Sequence, residues 1–315
     1  MDGLPLTLPL QTTLTVQRTL AAPIDCVGIG LHSGRRVRLV LSPAPADTGI
    51  VFRRSDLGRD IPARFDHVVD TRLCTVLGLP DEPLVRVGTV EHLMAALVGA
   101  GIHNALVEVD GPELPIHDGS AAAFLFLLDC AGSVELDEMM PQIEVRRTVR
   151  VAQGDAFAEL RPAPFGLDMA VSIAFDAAAI GRQALSLRLT PDSFRDEVAR
   201  ARTFTLAGEV AQLRAAGLAR GGSLENAVVV DGARVLNPGG LRMVDEFVRH
   251  KLLDAVGDLA LAGAPLRARF VAHKCGHALN NRLLRALFAE AANWRLVLPA
   301  QPAIAPRRRA EAEAA

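Results

Sequence analysis

The segment Asp245 to Leu261 carries His250, Asp254 and Asp258 at steps of four residues. At 100° per residue these three fall on one stripe of a helix. Phe247, Leu252, Leu253, Val256, Leu259 and Leu261 lie on both sides of the stripe, so the helix reads as apolar nearly all round and therefore buried. Burying an imidazole and two carboxylates is costly unless they pair or bind a metal. His250 and Asp254 project together, a common way for one helix to offer two metal ligands. A buried His–Asp hydrogen bond or ion pair is the plainer reading of two such residues. The third in-line acid, Asp258, weighs against it.

Glu91 and His92 open a second helical stretch. Glu91 suits a helix N-terminus electrostatically. Adjacent residues point about 100° apart, so the two cannot both be ligands on one face. One can bind a metal while the other faces its open coordination position. His92, His250 and Asp254 together form a two-His, one-carboxylate set, which leaves room for water as a catalytic zinc requires. The same composition suits non-haem Fe(II) oxygenases, so it does not choose the metal.

A third cluster is His273-Lys274-Cys275-Gly276-His277-Ala278-Leu279-Asn280-Asn281. Gly276 allows a sharp turn into a helix, with His277 in the first turn. The helix dipole disfavours positive charge there. A protonated His277 then needs a carboxylate, and Asp258 is the candidate; an exposed cap residue is the simpler alternative. GIGLHSG at Gly28 to Gly34 looks like a phosphate loop. It lacks the GxGxxG spacing and precedes a strand, so a turn between strands is expected instead.

These side chains need a scaffold. Thr13 to Leu20 and Arg36 to Leu41 alternate polar and apolar, as half-buried strands do. Thr89 is the expected N-cap of a helix over Val90 to Val98, stopped by Gly99 and Gly101. Asn104 to Val109 reads as a strand, and Ser120 as the cap of a helix reaching Cys130 and ended by Gly132. Strands are expected at Ile143 to Ala152, Ala156 to Arg161 and Leu167 to Phe175. Thr190-Pro191 opens a helix with Pro at its favoured first position. A helix over Val244 to Ala262, a strand over Leu266 to Val271 and a helix over His277 to Trp294 follow. Helix–strand–helix order thus occurs twice, with histidines spaced 117 − 92 = 25 and 277 − 250 = 27. The predicted architecture is two related α+β halves meeting along a cleft, joined near Glu135 to Gln142. The first domain is expected over 13–137 and the second over 138–299, with tails at 1–12 and 300–315.

Lys plus Arg total 34 and Asp plus Glu 36, a net charge of −2. That balance lacks the basic surplus that meets nucleic-acid phosphate. One Trp and no Tyr leave few stacking platforms for single strands. Hydrophobic residues make up 50%, ample for a packed core, yet no stretch approaches the ~20 apolar residues of a membrane span. Cys26, Cys74, Cys130 and Cys275 are scattered with no CxxC pair, which suits reduced thiols in the cytoplasm. Met1 to Gln11 lacks a basic n-region, so no signal peptide is expected.

Seven motifs share one order with a known family. They are GIGLHSG, DTRLCT at Asp70 to Thr75, TVEHLMAAL at Thr89 to Leu97, PIHDGSAA at Pro115 to Ala122, ARTF at Ala201 to Phe204, VRHKLLDAVGDLAL at Val248 to Leu261, and HKCGHALNN. From Thr15 to Trp294 the chain resembles the UDP-3-O-acyl-N-acetylglucosamine deacetylases, the zinc amidases of lipid A biosynthesis. The resemblance implies an α+β fold of two similar domains, each a mainly antiparallel sheet, with the helices packed between the two sheets. It implies Zn2+ held by His92, His250 and Asp254, with Fe2+ also admitted by the donor set. It implies Glu91 as general base, His277 as the acid that protonates the departing amine and Asp258 as the carboxylate orienting His277. Thr203 matches the threonine that helps polarise the acetamide oxygen. Lys251, Phe204 and Leu31 match residues along the substrate path. The implied substrate is an acylated UDP-amino sugar. The expected protein is a cytoplasmic monomer with no nucleic-acid partner, no transmembrane segment and transient membrane-surface contact at most.

Some positions depart from the family pattern. Ala156 stands where lysine is frequent, which leaves a headgroup contact to another basic residue, with Arg161 the candidate. Thr205 and Glu209 replace a common glycine and aspartate. His117, inside PIHDGSAA, receives no catalytic role. A non-catalytic sugar-nucleotide or acyl-lipid binding protein is the rival on this scaffold, but binding alone needs neither Glu91 nor His277. An iron oxygenase is the other rival, and it predicts dependence on O2 with no acetate release.

Overall fold

The computed structural model describes residues 16–298. The expected tails, and residues 13–15 of the first expected strand, lie outside the described residues. Strands β1 (Val16–Leu20), β2 (Ile24–Ile29), β3 (Arg36–Pro43), β4 (Ile50–Arg54), β5 (Arg59–Pro62), β6 (Val68–Asp70), β7 (Val76–Leu79) and β8 (Glu82–Val87) come first. Helix α1 (Glu91–Gly99), β9 (Ala105–Val109), α2 (Ala122–Ala131) and β10 (Ser133–Met139) follow. Next are β11 (Gln142–Val145), β12 (Val149–Gln153), β13 (Ala156–Pro162), β14 (Leu167–Ala174), β15 (Arg182–Leu189) and the short α3 (Pro191–Ser193). A smaller unit holds β16 (Phe204–Leu206), α4 (Ala207–Ala215), β17 (Val228–Asp231) and β18 (Arg234–Val235). The chain then runs through α5 (Glu246–Ala260), β19 (Leu266–His273), α6 (His277–Ala289) and β20 (Trp294–Val297).

The fold is α+β with a repeated strand order. In the sheet β2-β3-β9-β4-β5 every neighbouring pair is antiparallel except the parallel β9–β4. In the other large sheet β12, β13, β19, β14 and β15 follow in the same order, again antiparallel except the parallel β19–β14. That sheet gains β11, parallel to the start of β19, and β20, antiparallel to β11. Among the described residues no sheet mixes strands from the two sides of Met140. The order α1-β9-α2 repeats as α5-β19-α6, as the paired histidine segments predict.

The helices lie between the sheets. α2 touches β2 and α1, α1 packs across α5, and α5 and α6 lie on β14–β15 and β12–β13. Apolar side chains drive this: Leu93, Met94 and Leu97 of α1 and Phe247, Leu252, Leu253, Val256 and Leu259 of α5 are all buried in one continuous core. Burial on both sides of α5 is what traps its charged stripe away from water.

Four expectations about elements need adjustment. Thr89 does not cap α1: its φ is +57°, and its hydroxyl lies 3.2 Å from Glu113 Oε1. A capping residue needs extended backbone to reach the first amides, and the left-handed turn removes it. Ser120 does contribute, accepting from the Ala122 amide at 3.2 Å. The strand expected over Ile143 to Ala152 breaks into β11 and β12, which take different partners: β11 pairs with β20 and the start of β19, and β12 with β13. α6 stops at Ala289, short of Trp294, because Trp294 pairs with Val145 as the first residue of β20. The Thr190 helix begins with a full capping box, but its α-helical part spans only Pro191–Ser193.

Candidate active site

The start of α1 and the middle of α5 bring His92, His250 and Asp254 together, with one donor atom from each within 4.8 Å of the others. Asp254 Oδ1 lies 3.2 Å from His250 Nε2 and 3.6 Å from His92 Nε2. The two imidazoles meet edge to face, at 87°. All three residues are buried.

Two of the three side chains are held by hydrogen bonds to neighbours outside the cluster. His250 Nδ1 donates to the Ala201 carbonyl at 3.0 Å, so the Nε2 lone pair faces the cluster. Burial lowers the His250 pKa to about 3 despite the nearby Asp254 charge, which keeps the ring neutral. Asp254 gives Oδ1 to the histidines and Oδ2 to Lys251 Nζ at 2.8 Å. Burial alone would raise the Asp254 pKa, but nearby positive charge, with the Lys251 ammonium bonded to Oδ2, holds it well below the usual carboxylate range. His92 Nδ1 is buried without a hydrogen-bond partner. Two imidazoles and an ionised carboxylate, converging in a buried site, fit a divalent metal ion.

Glu91 follows the backbone of His92 but serves other neighbours. Its Oε2 accepts from the Thr75 amide at 3.0 Å, and its Oε1 lies 3.8 Å from His277 Nε2. Burial raises the Glu91 pKa, opposed by His277 and His92. At the start of α6, His277 Nδ1 lies 2.9 Å and 3.2 Å from the two oxygens of Asp258. Burial would lower the His277 pKa, but Asp258 and then Glu91 outweigh it and push it up to about 10. The ring is therefore protonated at neutral pH, with Asp258 as the carboxylate its helix position requires. A group that accepts protons and one that donates them thus stand side by side next to the ligand cluster.

Residues 17–289 match the family model of UDP-3-O-acyl N-acetylglycosamine deacetylase. The chain belongs to this deacetylase family. The UDP-3-O-acyl-N-acetylglucosamine deacetylase of Anaeromyxobacter dehalogenans is 49% identical over 298 residues, covering 95% of this chain and 96% of the relative. That of Phenylobacterium zucineum is 52% identical over 283 residues, covering 89% and 96%. That of Acidithiobacillus ferrooxidans is 51% identical over 285 residues, covering 89% and 92%. The span matched by the deacetylase model contains every residue of the cluster.

Around the deacetylase cluster, the Phe204 ring lies 6.3 Å from the His250 ring and 5.0 Å from Phe247, with Lys251 Nζ 5.4 Å from its centroid. Thr203 is fixed by its backbone: its amide donates to Gly119 at 2.8 Å, and its carbonyl accepts from Val228 at 2.8 Å. Gly119 is required there, since φ is +81° and a Cβ would stand 1.9 Å from the Asn226 oxygen. Leu31, within the GIGLHSG turn, accepts from the Gly221 amide at 3.0 Å. That turn links β2 to β3 as expected. Glu113 holds it by accepting from the His32 and Ser33 amides at 2.7 Å and 2.8 Å.

Arg161 does not substitute for the missing lysine at position 156. It pairs with Glu159, and strand alternation puts it on the opposite face of β13 from Ala156. Lys274, paired with Asp155 at 2.6 Å, lines with Ala156 and His277 a recess of about 380 Å³. His117 lies 3.6 Å from Cys26 Sγ and edge-on to Phe124, apart from the ligands. Sequence reasoning assigned no role to Thr75 or Asn280, although both donate to Asp258, at 2.6 Å and 2.8 Å. Asn280 carried a readable signal, being three residues after His277 on one helical face. Thr75 carried none beyond its place in DTRLCT.

Proposed function

We propose that this chain removes acetate from UDP-3-O-(3-hydroxyacyl)-N-acetylglucosamine, with zinc held by His92, His250 and Asp254. The observation that carries the proposal is the 3.8 Å approach of Glu91 to His277, a buried base beside a buried acid, next to three converging ligands. A bound zinc ion supplies Lewis-acid activation of water and of the acetamide carbonyl. Glu91, whose basicity is raised by burial, accepts the proton of the attacking water. Thr203 donates to the acetamide oxygen as negative charge develops there. His277 gives its Nε2 proton to the sugar nitrogen as the C–N bond breaks, while Asp258 holds Nδ1–H. Acetate and the free amino sugar leave. Lys251, Phe204 and Leu31 line the substrate path, and Lys274 meets the polar headgroup in the recess beside His277.

Zinc is the metal we take; Fe2+ is a Lewis acid that suits the same donors, and metal analysis separates the two. A binding protein without catalysis is disfavoured, since it would have no use for the paired base and acid. We assign domains to 13–137 and 138–299, supported by the repeated strand order. The four free thiols support a cytoplasmic protein. We take it to be a monomer, in passing contact with a membrane surface where its acylated substrate resides. Among the described residues no helix is long and apolar enough to cross a membrane. The test joins metal analysis to an acetate-release assay on the acylated sugar nucleotide. Stoichiometric zinc with acetate release is expected; metal-replete protein that releases no acetate overturns the reading.

A further inference from the structure

Thr75 precedes β7 and is almost completely buried, at 2% exposure. Its three polar groups all face the chemistry. The amide donates to Glu91 Oε2 at 3.0 Å. The hydroxyl donates to Asp258 Oδ1 at 2.6 Å. The carbonyl accepts from the Val90 amide at 3.4 Å, one residue before α1 begins. A threonine hydroxyl has one proton to donate, and a buried carboxylate at this distance takes it as a charge-assisted bond.

We propose that Thr75 is a positioning residue that fixes Glu91 and the Asp258–His277 pair in one register, joining the start of α1 to α5. It rests on the deacetylase reading for its meaning, because the register matters only if Glu91 and His277 act on one substrate. Asp258 has two oxygens and three neighbours to satisfy. Oδ2 receives Asn280 Nδ2 at 2.8 Å and His277 Nδ1 at 2.9 Å. Oδ1 is anchored by Thr75 at 2.6 Å, with His277 Nδ1 further off at 3.2 Å, so without Thr75 the carboxylate is held firmly at Oδ2 alone and its rotation beside His277 is no longer fixed. The backbone bond to Glu91 does not depend on the side chain. Thr75→Val therefore removes the hold on Asp258 while keeping the hold on Glu91 and nearly the same shape.

The test uses the full-length, metal-loaded protein. Thr75→Val should lower kcat by about 10- to 100-fold, the usual cost of losing a buried partner that orients a site residue, with KM and bound metal unchanged. Thr75→Ser, which keeps the hydroxyl, should recover most of the rate. A second readout needs no turnover. In histidine-labelled protein the His277 Nδ1–H resonance, identified by its loss in His277→Gln, should move in Thr75→Val and return in Thr75→Ser. Either readout staying at its wild-type value in Thr75→Val overturns the proposal, as does a Thr75→Ser variant as impaired as Thr75→Val. If Thr75→Val does not fold, Thr75→Ala replaces it with the same expectations. Failure of the wild-type protein to release acetate would sink the deacetylase reading, and the resonance comparison would still decide the role of Thr75.

Discussion

The Cβ that Gly257 lacks would stand 2.0 Å from the carbonyl oxygen of Glu91. Gly257 lies between Asp254 and Asp258 on α5, so this is where α5 presses on the backbone of α1. Helix propensity alone favours Gly257→Ala by about 1 kcal/mol. The clash is with backbone, which cannot swing aside, and overpacking of this kind costs about 1–3 kcal/mol. The clash should win. Gly257→Ala is expected to lower the melting temperature and to weaken metal binding, read by thermal unfolding and by metal titration. A variant as stable and as metal-competent as wild type would show that the helices separate without consequence.

Glu91 and His250 should part company under mutation. His250→Ala should lose metal and activity together. Glu91→Ala should keep its metal and lose activity by about 10²- to 10⁴-fold, the usual contribution of a general base. Elemental analysis beside acetate release separates the two, and metal loss in Glu91→Ala would contradict the division of roles.

Asp258→Asn tests the acid. Burial lowers the His277 pKa, and the charges of Asp258 and Glu91 reverse this to give about 10. Removing the Asp258 charge lowers it, so the ring loses its proton at lower pH. The alkaline limb of kcat should shift to lower pH in Asp258→Asn. The linkage has the same sign: a raised pKa stabilises the fold fully below about 6.5, and that contribution fades as pH rises towards about 10. Thermal unfolding across this window should show a smaller loss of stability in His277→Gln than in wild type.

A fourth expectation concerns the frame behind the site. Glu246 at the start of α5 is fully buried and accepts from Arg202 Nε at 2.8 Å and Nη2 at 3.0 Å. Arg202→Ala removes the counter-charge of Glu246 and leaves it only the backbone amides of position 202 and Arg242. Losing one partner of a buried pair costs about 3–5 kcal/mol, and urea unfolding should report a loss of that size. A loss below about 1 kcal/mol, as for an exposed pair, would mean that water reaches Glu246.

The ligands on α5 were legible because a helical period and buried charge coincide there, and burial makes such charges conspicuous. His277 was legible because a histidine in a first turn needs a negative neighbour. Thr75 was not, since its partner Asp258 is 183 residues away and only packing brings them together. Thr89 misled because its spacing suits a cap, while a tertiary contact to Glu113 sets its backbone. The overrun of α6 towards Trp294 has a similar cause, a strand partner in β11 that no local pattern shows. Arg161 faces away from position 156, as strand alternation requires of two positions that differ by an odd number.

The repeated strand order has a chemical consequence. The two copies keep one layout but are unequal: the earlier one brings Glu91 and His92, the later one His250, Asp254 and His277 with Asp258. Neither inventory is a reaction centre. Reactivity belongs to the seam, so anything that loosens the docking of the copies disarms the protein even while both remain folded.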